Sequence, residues 1–227
     1  MKIPKLHSWD LTPTEAVALQ RKLASEVDGR TPLTSWELVA GADASYARFS
    51  STIYAGVVVV RTSDGAVVEA QGAVQEAAFP YIPGLLTFRE VPALLLAFAK
   101  LKTEPDVIMM DGQGYSHPRR CGLACHMGLW LRRPTLGCAK TRLIGTFKEP
   151  KQKAGSLTPL KDGDDVIGSV LRTKDGTKPL YVSVGHMIDL PSAVRVVLAT
   201  CKGYRLPEPA RQAHHFVNEL RRNAAVS

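Results

Sequence analysis

A strand-sized apolar segment leads into a glycine-rich basic loop through a single carboxylate. Asp111 follows the apolar run Val107–Met110, and residues 112–120 read Gly-Gln-Gly-Tyr-Ser-His-Pro-Arg-Arg. Glycines let backbone N–H groups approach an anion, and the arginines and the histidine supply positive charge for phosphate. A carboxylate ~4 Å from a phosphate charge costs about 4 kcal/mol at an effective dielectric constant of about 20, unless a cation lies between them. The pattern therefore predicts metal-assisted phosphate chemistry, with Mg²⁺ or Mn²⁺ as the metal.

Two other acidic residues could complete such a site. Asp43 lies between two alanines in a strand-like segment, where an ionised carboxylate is expensive to bury without partners. Glu90 lies near the start of a helical pattern, although Thr87 and Glu90 also have the spacing of a capping box. Each acid alone has an ordinary structural explanation, a strand-end hydrogen bond for Asp43 and a helix cap for Glu90. Three converging acids can instead hold divalent metals that activate water, as in the ribonuclease H-like nucleases.

The elements that must position these acids follow one another in the order βββαβαβ. A capping box at Thr12 predicts a first helix that runs to about Val27. The later predicted strands are Leu38–Tyr46, Tyr54–Arg61, Ala66–Gln75, Val107–Asp111 and Thr135–Ala139, and the helices among them are Arg89–Lys100 and Arg120–Leu131. Short links between the first three strands favour an antiparallel meander. The order describes a mixed sheet flanked by helices, an α/β fold. With the three acids on these elements, it resembles the ribonuclease H-like fold.

One helix start depends on a proline. If Thr87 were the cap, Pro92 would lie inside the helix, where its missing N–H costs one intrahelical hydrogen bond. We therefore expect this helix to begin at about Arg89.

The last third of the chain predicts a loop, a hairpin and two helices. Residues 145–165 are polar and rich in Lys, Gly and Asp, which favours a loop or flap. The strands Val166–Arg172 and Leu180–Val184 flank a Lys-Asp-Gly turn. Asp189 can cap a helix to Lys202, and a last helix is expected after Pro207 or Pro209.

Length and composition favour one domain, and the charge is compatible with a polyanionic partner. The chain has 227 residues, of which 45% are hydrophobic, so we expect residues 1–227 to form a single domain. Its formal charge is +8, and the basic residues are clustered. Charge alone leaves a generally basic protein equally open. The chain begins without an apolar leader and contains no membrane-length apolar run, so a cytoplasmic location is expected.

The cysteines do not predict a disulfide framework. Cys121, Cys125 and His126 have helical spacing and resemble part of a zinc site, but no second pair follows at zinc-finger spacing. Buried thiols on a helix face are the favoured interpretation.

Tyr81 lies on a segment stiffened by two prolines. Pro80 and Pro83 fix the backbone on either side, which would hold the ring out on a rigid turn. An aromatic ring can fill the space left by a flipped base, and flipping costs a few kcal/mol of unstacking. The alternative is a core tyrosine that follows a strand.

Six short motifs, in order, resemble those of the endonuclease V family. They are Gly41–Tyr46, Pro80–Gly84, Phe88–Ala93, Asp111–Arg120, Gly137–Leu143 and Gly203–Pro209. They extend over most of the chain, and six ordered matches are poorly explained by chance. The resemblance implies a repair endonuclease that recognises hypoxanthine (deoxyinosine) in DNA, or in RNA, and cuts the second phosphodiester on its 3′ side. The products would carry a 3′-hydroxyl and a 5′-phosphate.

The same resemblance assigns roles at the cleavage site. Asp43 and Asp111 would be the Mg²⁺ ligands, and Glu90 would complete the acidic cluster directly or through water. His117 and Lys140 would be the basic members that bind the cleaved phosphate. From their local patterns alone, His117 as a loop hydrogen-bond donor and Lys140 as a solvated strand end are the simpler explanations.

A second group of residues would contact the substrate. Tyr81 would be the strand-separating wedge. Gly84, Gly112 and Gly114 would leave room for a flipped purine to meet backbone groups, and Arg119 and Arg142 would contact phosphates.

His214 departs from the pattern of many ribonuclease H-like nucleases, which carry a further acid on the last helix. A histidine there would favour Mn²⁺ if it binds metal, or it lies out of reach. Two other functions stay open: a junction resolvase or excision nuclease on the same fold, and a non-catalytic nucleic-acid-binding module. The intact acids argue against the last, because acids near phosphates do not help a pure binder.

Overall fold

The fold of the chain was obtained as a computed structural model that describes residues 1, 3–47 and 50–224, with one eight-stranded sheet at its centre. The strands are β1 (Leu38–Ser45), β2 (Thr52–Arg61), β3 (Val67–Glu76), β4 (Val107–Met110), β5 (Thr135–Ala139), β6 (Leu157–Asp162), β7 (Asp165–Leu171) and β8 (Leu180–His186). The helices are α1 (Pro13–Ala24), α2 (Leu86–Ala99), α3 (Leu123–Leu131), α4 (Leu190–Ala199) and α5 (Glu208–Ala224).

The sheet is mixed, and its order is β3-β2-β1-β4-β5-β8-β7-β6. The first three strands form the predicted antiparallel meander, whereas β4 lies parallel to both β1 and β5. Helices cover both faces. Alternate residues of β1 face opposite sides of the sheet. Ala40 and Ala42 pack in the cluster that contains α2 and α3, while Val39 packs with α4 on the other side. The predicted α/β fold is confirmed.

Close packing of α5 on β1 sets the position of the last helix. A Cβ at Gly41 would lie 1.9 Å from the Pro209 carbonyl oxygen, so any side chain there would push the helix start away from the strand. Asp43 is two residues along β1 and therefore points to the same face of the sheet as Gly41. The strand thus presents the Asp43 carboxylate to α5.

Helix α2 begins earlier than predicted. It starts at Leu86, with Pro92 inside it, and no side chain caps its first turn. The Thr87 hydroxyl is hydrogen-bonded to Nδ1 of His126 at 2.8 Å, so tertiary contact uses the group that local spacing offered as a cap. Helix α1, in contrast, has the predicted capping box at Thr12.

The polar loop predicted at residues 145–165 is wrong in part, because β6 lies within it. Only Leu160 of that strand is buried, and Pro159 interrupts the pattern. An edge strand with one buried residue lacks the apolar run that identifies interior strands, and proline is tolerated at an edge. The predicted antiparallel pairing of β7 with β8 is confirmed.

Helix α3 begins at Leu123 and not at Arg120, whose φ of 56° is left-handed. Cys121 and Cys125 are buried free thiols, as expected. In the described ranges, no helix combines the length and apolar character needed to cross a membrane.

Candidate active site

Three potential metal ligands converge where β1, β4 and α5 meet. Asp43, Asp111 and His214 each offer an atom, and these atoms lie within 4.8 Å of one another. Nδ1 of His214 is 2.9 Å from a carboxylate oxygen of Asp43. Two carboxylate oxygens and an imidazole nitrogen at this separation are suited to a divalent cation. Within the described part of the chain, these three form the cluster that fits a metal.

Register brings the two aspartates together. Ala42 pairs with Met110 in the parallel ladder of β1 and β4, so the residues that follow them, Asp43 and Asp111, leave the pairing at the same edge. The Asp111 amide donates to the Ala42 carbonyl at 3.0 Å, which extends the ladder by one bond. The predicted convergence of these two acids is therefore a direct result of strand pairing.

His214 is held over the aspartates by its own helix. The side chain of Asn218 donates to the His214 carbonyl at 2.7 Å, and the Asn218 side-chain oxygen accepts a 3.2 Å hydrogen bond from Ser45 on β1. His214 does reach the acids, which the sequence left open.

Lys140 lies beside the cluster, immediately after β5. Its ammonium is ion-paired with Asp111 and lies 3.3 Å from Nδ1 of His214. The Lys140 carbonyl accepts a 3.1 Å hydrogen bond from Arg205, which also donates to the carbonyls of Lys178 and Pro179. Arg205 thus fixes the backbone that carries the lysine.

Glu90 reaches the site from α2, on the other face of the sheet. One of its oxygens accepts a 3.0 Å hydrogen bond from the hydroxyl of Tyr46. Burial, with added repulsion from Asp43 and Asp111, raises the pKa of Glu90 to about 7 despite that hydrogen bond. Burial and the charge of Asp111 also raise the pKa of Asp43. Without added positive charge these acids disfavour full ionisation, and a divalent cation would relieve that repulsion.

A cavity of about 440 Å³ opens beside the acids. Its lining includes Glu90, Asp111 and Lys140 on the side of the cluster. Most of the remaining lining comes from loops and from apolar side chains, namely Gly84, Leu86, Gly112, His117, Leu123, Arg142 and Leu143. A volume of this size is typical of small-molecule pockets.

His117 is buried, and both of its ring nitrogens form hydrogen bonds with backbone groups. Nδ1 accepts from the Arg119 amide at 3.1 Å, so the ring proton of the neutral form is on Nε2, which donates to the Gly84 carbonyl at 3.1 Å. Burial, together with the charge of Arg119, lowers the pKa of His117 to about 4. The ring is therefore neutral at physiological pH.

The two predicted phosphate-binding arginines have different surroundings. Arg119 donates to the Gly84 carbonyl at 2.6 Å and to the Gln20 side chain at 2.5 Å. Arg142 is exposed, and it donates to the Gly145 carbonyl at 3.0 Å. Arg142 is thus the more accessible of the two.

The predicted pocket glycines are also unequal. Gly84 and Gly112 line the cavity. Gly114 is pressed against β8, since a Cβ there would lie 1.9 Å from the Val184 carbonyl oxygen, and its amide donates to Ser183 at 2.9 Å. Gly114 therefore allows the loop to pack on the sheet.

Tyr81 is 59% exposed on the loop between β3 and α2. The alternative of a core tyrosine is wrong. The ring stands at the surface on the segment that ends at Gly84, a lining residue of the cavity.

Sequence reasoning missed three supporting residues. Tyr46 donates a hydrogen bond to Glu90, Gln20 accepts one from Arg119, and Arg205 donates one to the Lys140 carbonyl. Tyr46 and Arg205 lie within the recognised motifs, so their positions carried a signal. Gln20 lies on α1, fully buried, and nothing in its spacing indicated a partner.

Comparison with known proteins shows the family of this chain. A sequence profile described as Endonuclease V matches residues 19–215. Endonuclease V of Dehalococcoides mccartyi is 50% identical over 220 residues, which are 97% of this chain and 99% of the relative. The crystal structure of the Bacillus subtilis Endonuclease V superposes with a TM-score of 0.95 at 30% identity and covers 99% of each chain.

A third structure contains nucleic acid. Endonuclease V of Ciona intestinalis, bound to a 23mer DNA containing an inosine followed by a ribo-adenosine, has a TM-score of 0.81 at 26% identity. The match covers 94% of this chain and 100% of that one. On the ordered motifs, the clustered acids and these matches, the chain belongs to the Endonuclease V family and is an endonuclease.

Proposed function

We propose that this enzyme recognises hypoxanthine in DNA and hydrolyses the second phosphodiester on its 3′ side, leaving a 3′-hydroxyl and a 5′-phosphate. The observation that carries the proposal is the position of the acidic cluster, because Glu90, Asp111 and Lys140 form one wall of a base-sized cavity. A nuclease that acts near a damaged base needs such a cavity next to its cleavage centre. The related Ciona protein holds inosine-containing DNA, which supports the same substrate class here.

Asp43, Asp111 and His214 would hold the cation, which we assign as Mg²⁺. Two of the three ligands are carboxylates, which suit Mg²⁺, and the imidazole nitrogen suits Mn²⁺ as well. A metal bound there supplies Lewis-acid stabilisation of the phosphate and lowers the pKa of a water molecule. Glu90 would join the cluster directly or through water.

The neighbouring side chains would act on the phosphate and on the loop. Lys140 would place its ammonium near the phosphate charge that develops during cleavage. The hydrogen bonds of His117 support a role in holding Gly84, since both ring nitrogens already have backbone partners.

Tyr81 would fill the gap left by the flipped base. Its ring is exposed on a proline-flanked turn that ends at the cavity. Gly84 and Gly112 would let the base approach the backbone of the pocket, and Gly114 would contribute by seating the loop on β8. Arg142 would contact a phosphate directly, and Arg119 would contribute mainly through Gly84.

A junction resolvase or a non-catalytic binder accounts for fewer of these features. Neither needs a base-sized cavity beside the acids, and a binder does not need the acids at all. We further propose a single nuclease domain of residues 1–227 that acts in the cytoplasm, on DNA in preference to RNA.

Cleavage of end-labelled duplexes tests the proposal. Duplexes with and without one hypoxanthine would be incubated with the enzyme and Mg²⁺, and a matched set would carry the base in an RNA strand. We expect one cut, at the second phosphodiester 3′ to hypoxanthine, and none in the Asp43→Asn control. Equal cutting of both duplexes would contradict the assigned specificity, and binding without cutting would favour the non-catalytic module.

A further inference from the structure

The turn that carries Tyr81 is anchored at one backbone atom. Three residues after the tyrosine, the Gly84 carbonyl accepts hydrogen bonds from Arg119 at 2.6 Å and from His117 at 3.1 Å. The Leu85 amide donates to the Ile82 carbonyl at 2.9 Å and closes the turn itself. Whatever holds Arg119 and His117 therefore holds the base of the Tyr81 turn.

Arg120 holds the segment that carries both donors. Its amide and its guanidinium donate to the His117 carbonyl at 2.8 and 3.0 Å. Its φ of 56° is uncommon for a side-chain-bearing residue, and such a conformation persists only where the surroundings fix it. The guanidinium also lies 5.7 Å from the centre of the Tyr115 ring.

The same guanidinium of Arg120 is also bound to the β6–β7 hairpin. It donates to Asp165 and to Asp162, each at 2.9 Å, and these residues flank the hairpin turn. A planar guanidinium that bridges two carboxylates is a directional contact, which a lysine ammonium does not reproduce. A continuous set of contacts therefore joins the hairpin to Arg120, then to His117, and then to Gly84.

We propose that Arg120 is a positioning residue for the Tyr81 turn, fixed by Asp162 and Asp165 and acting through His117 on Gly84. This inference rests on the wedge function proposed for Tyr81. The side-chain hydrogen bonds of Arg120 go to His117, Asp162 and Asp165, none of which belongs to the metal cluster. Loosening Arg120 should thus weaken the opening of paired DNA and leave the chemical step unchanged.

The matched pair of variants lies within one turn. Asp162→Asn with Asp165→Asn removes both carboxylate charges from Arg120, whereas Asp164→Asn changes a neighbouring exposed aspartate that lies outside the ion pairs described for this hairpin. For each protein, kcat and KM would be measured with hypoxanthine in a paired duplex and in a single strand. Asp164→Asn shows how much of any change in the ratio of the two efficiencies comes from removing negative charge near DNA.

We expect the double variant to lower the paired-to-single-strand ratio by roughly 2- to 5-fold, the size of effect typical of partly exposed ion pairs. Asp164→Asn should leave the ratio unchanged, and Arg120→Lys should give an intermediate value. In a protein that already carries Tyr81→Ala, the double variant should have no further effect on the ratio. Hydrogen exchange of the free protein gives an independent measure. The Leu85 amide should exchange faster in the double variant than in the wild type or in Asp164→Asn.

The outcomes separate the two proposals. If Tyr81→Ala lowers the ratio and the double variant does not, the positioning function of Arg120 is wrong while the wedge stands. An unchanged ratio in Tyr81→Ala removes the wedge and the positioning function with it. Equal losses on both substrates would make Arg120 a general support of the fold, which also overturns the inference.

Discussion

Asp43 and Asp111 are neighbours because the residues before them, Ala42 and Met110, are paired in the parallel ladder of β1 and β4. The metal cluster is thus built into the register of the sheet. A shift of one residue would send one of the carboxylates to the opposite face, away from α5 and His214. The placement of His214 depends in turn on the tight packing of Pro209 over Gly41.

Replacing either aspartate with asparagine should separate cleavage from binding. Asp43→Asn and Asp111→Asn keep the side-chain shape but remove the charge that holds the metal, so cleavage should fall by roughly 10³-fold or more. Binding to hypoxanthine-containing DNA should persist or become slightly tighter, because a negative charge near phosphate is gone. Single-turnover cleavage in Mg²⁺ and gel-shift binding would measure the two effects. Near-normal cleavage by either variant would remove that residue from the metal site.

The sequence predicted correctly the elements that depend on interactions between residues close together in the chain. The capping box at Thr12 and the meander are confirmed, because a cap and short strand links act within a few residues. The start of α2 was wrong, because the prediction moved it to Arg89 to keep Pro92 near the first turn, whereas the helix begins at Leu86 with Pro92 inside it. Strand β6 escaped notice because an exposed edge strand needs few apolar residues.

The candidate site shows the same division. The motifs singled out Asp43, Glu90 and Asp111, and the structure brings them together. Strand order and register, which place Asp43 next to Asp111, depend on contacts between distant segments and were not encoded in local spacing. The hydrogen bond of the His117 ring likewise depends on a distant segment, because its partner is the carbonyl of Gly84, 33 positions away.

The arginines should differ in how they affect salt dependence. Arg142 is exposed, so Arg142→Ala should flatten the slope of log Kobs against log salt concentration by ~0.9, the value for one lost phosphate contact. The Arg119 guanidinium already donates hydrogen bonds to Gly84 and Gln20, so Arg119→Ala should change the slope less. Binding would be measured in Ca²⁺, which occupies oxygen sites and should support cleavage poorly. Equal changes in slope would mean that Arg119 also contacts the DNA backbone.

His117 should make stability depend on pH in the acid range. Its pKa is about 4 when folded against 6.5 as the ordinary value, so the unfolded chain takes up a proton first as the pH falls. Its contribution to stability is therefore complete above pH ~6.5 and declines below it, by up to about 2 kcal/mol between pH 7 and pH 5.

The control for this effect is His117→Gln, whose amide can still donate to Gly84 but does not titrate. Urea unfolding of both proteins at pH 7 and pH 5, in a metal chelator, gives the difference in their free energies of unfolding. We expect the advantage of the wild type to shrink at pH 5, while effects of other titrating groups cancel. A constant difference would show that His117 is accessible to protonation in the folded state.

Removing the Tyr81 ring should impair lesion access more than chemistry. The ring is exposed and belongs to the loop that ends at Gly84, so Tyr81→Ala leaves the acidic cluster intact. A paired duplex must be unstacked before the base enters the cavity, and the ring offsets on the order of 1–3 kcal/mol of that cost. We therefore expect a large loss of binding and cleavage on paired hypoxanthine and a smaller loss in a single strand. Tyr81→Phe, which keeps the ring, should retain most of the activity on both substrates. If Tyr81→Ala loses the same factor on paired and unpaired substrates, the ring reads the base directly or supports the loop, and it does not separate the strands.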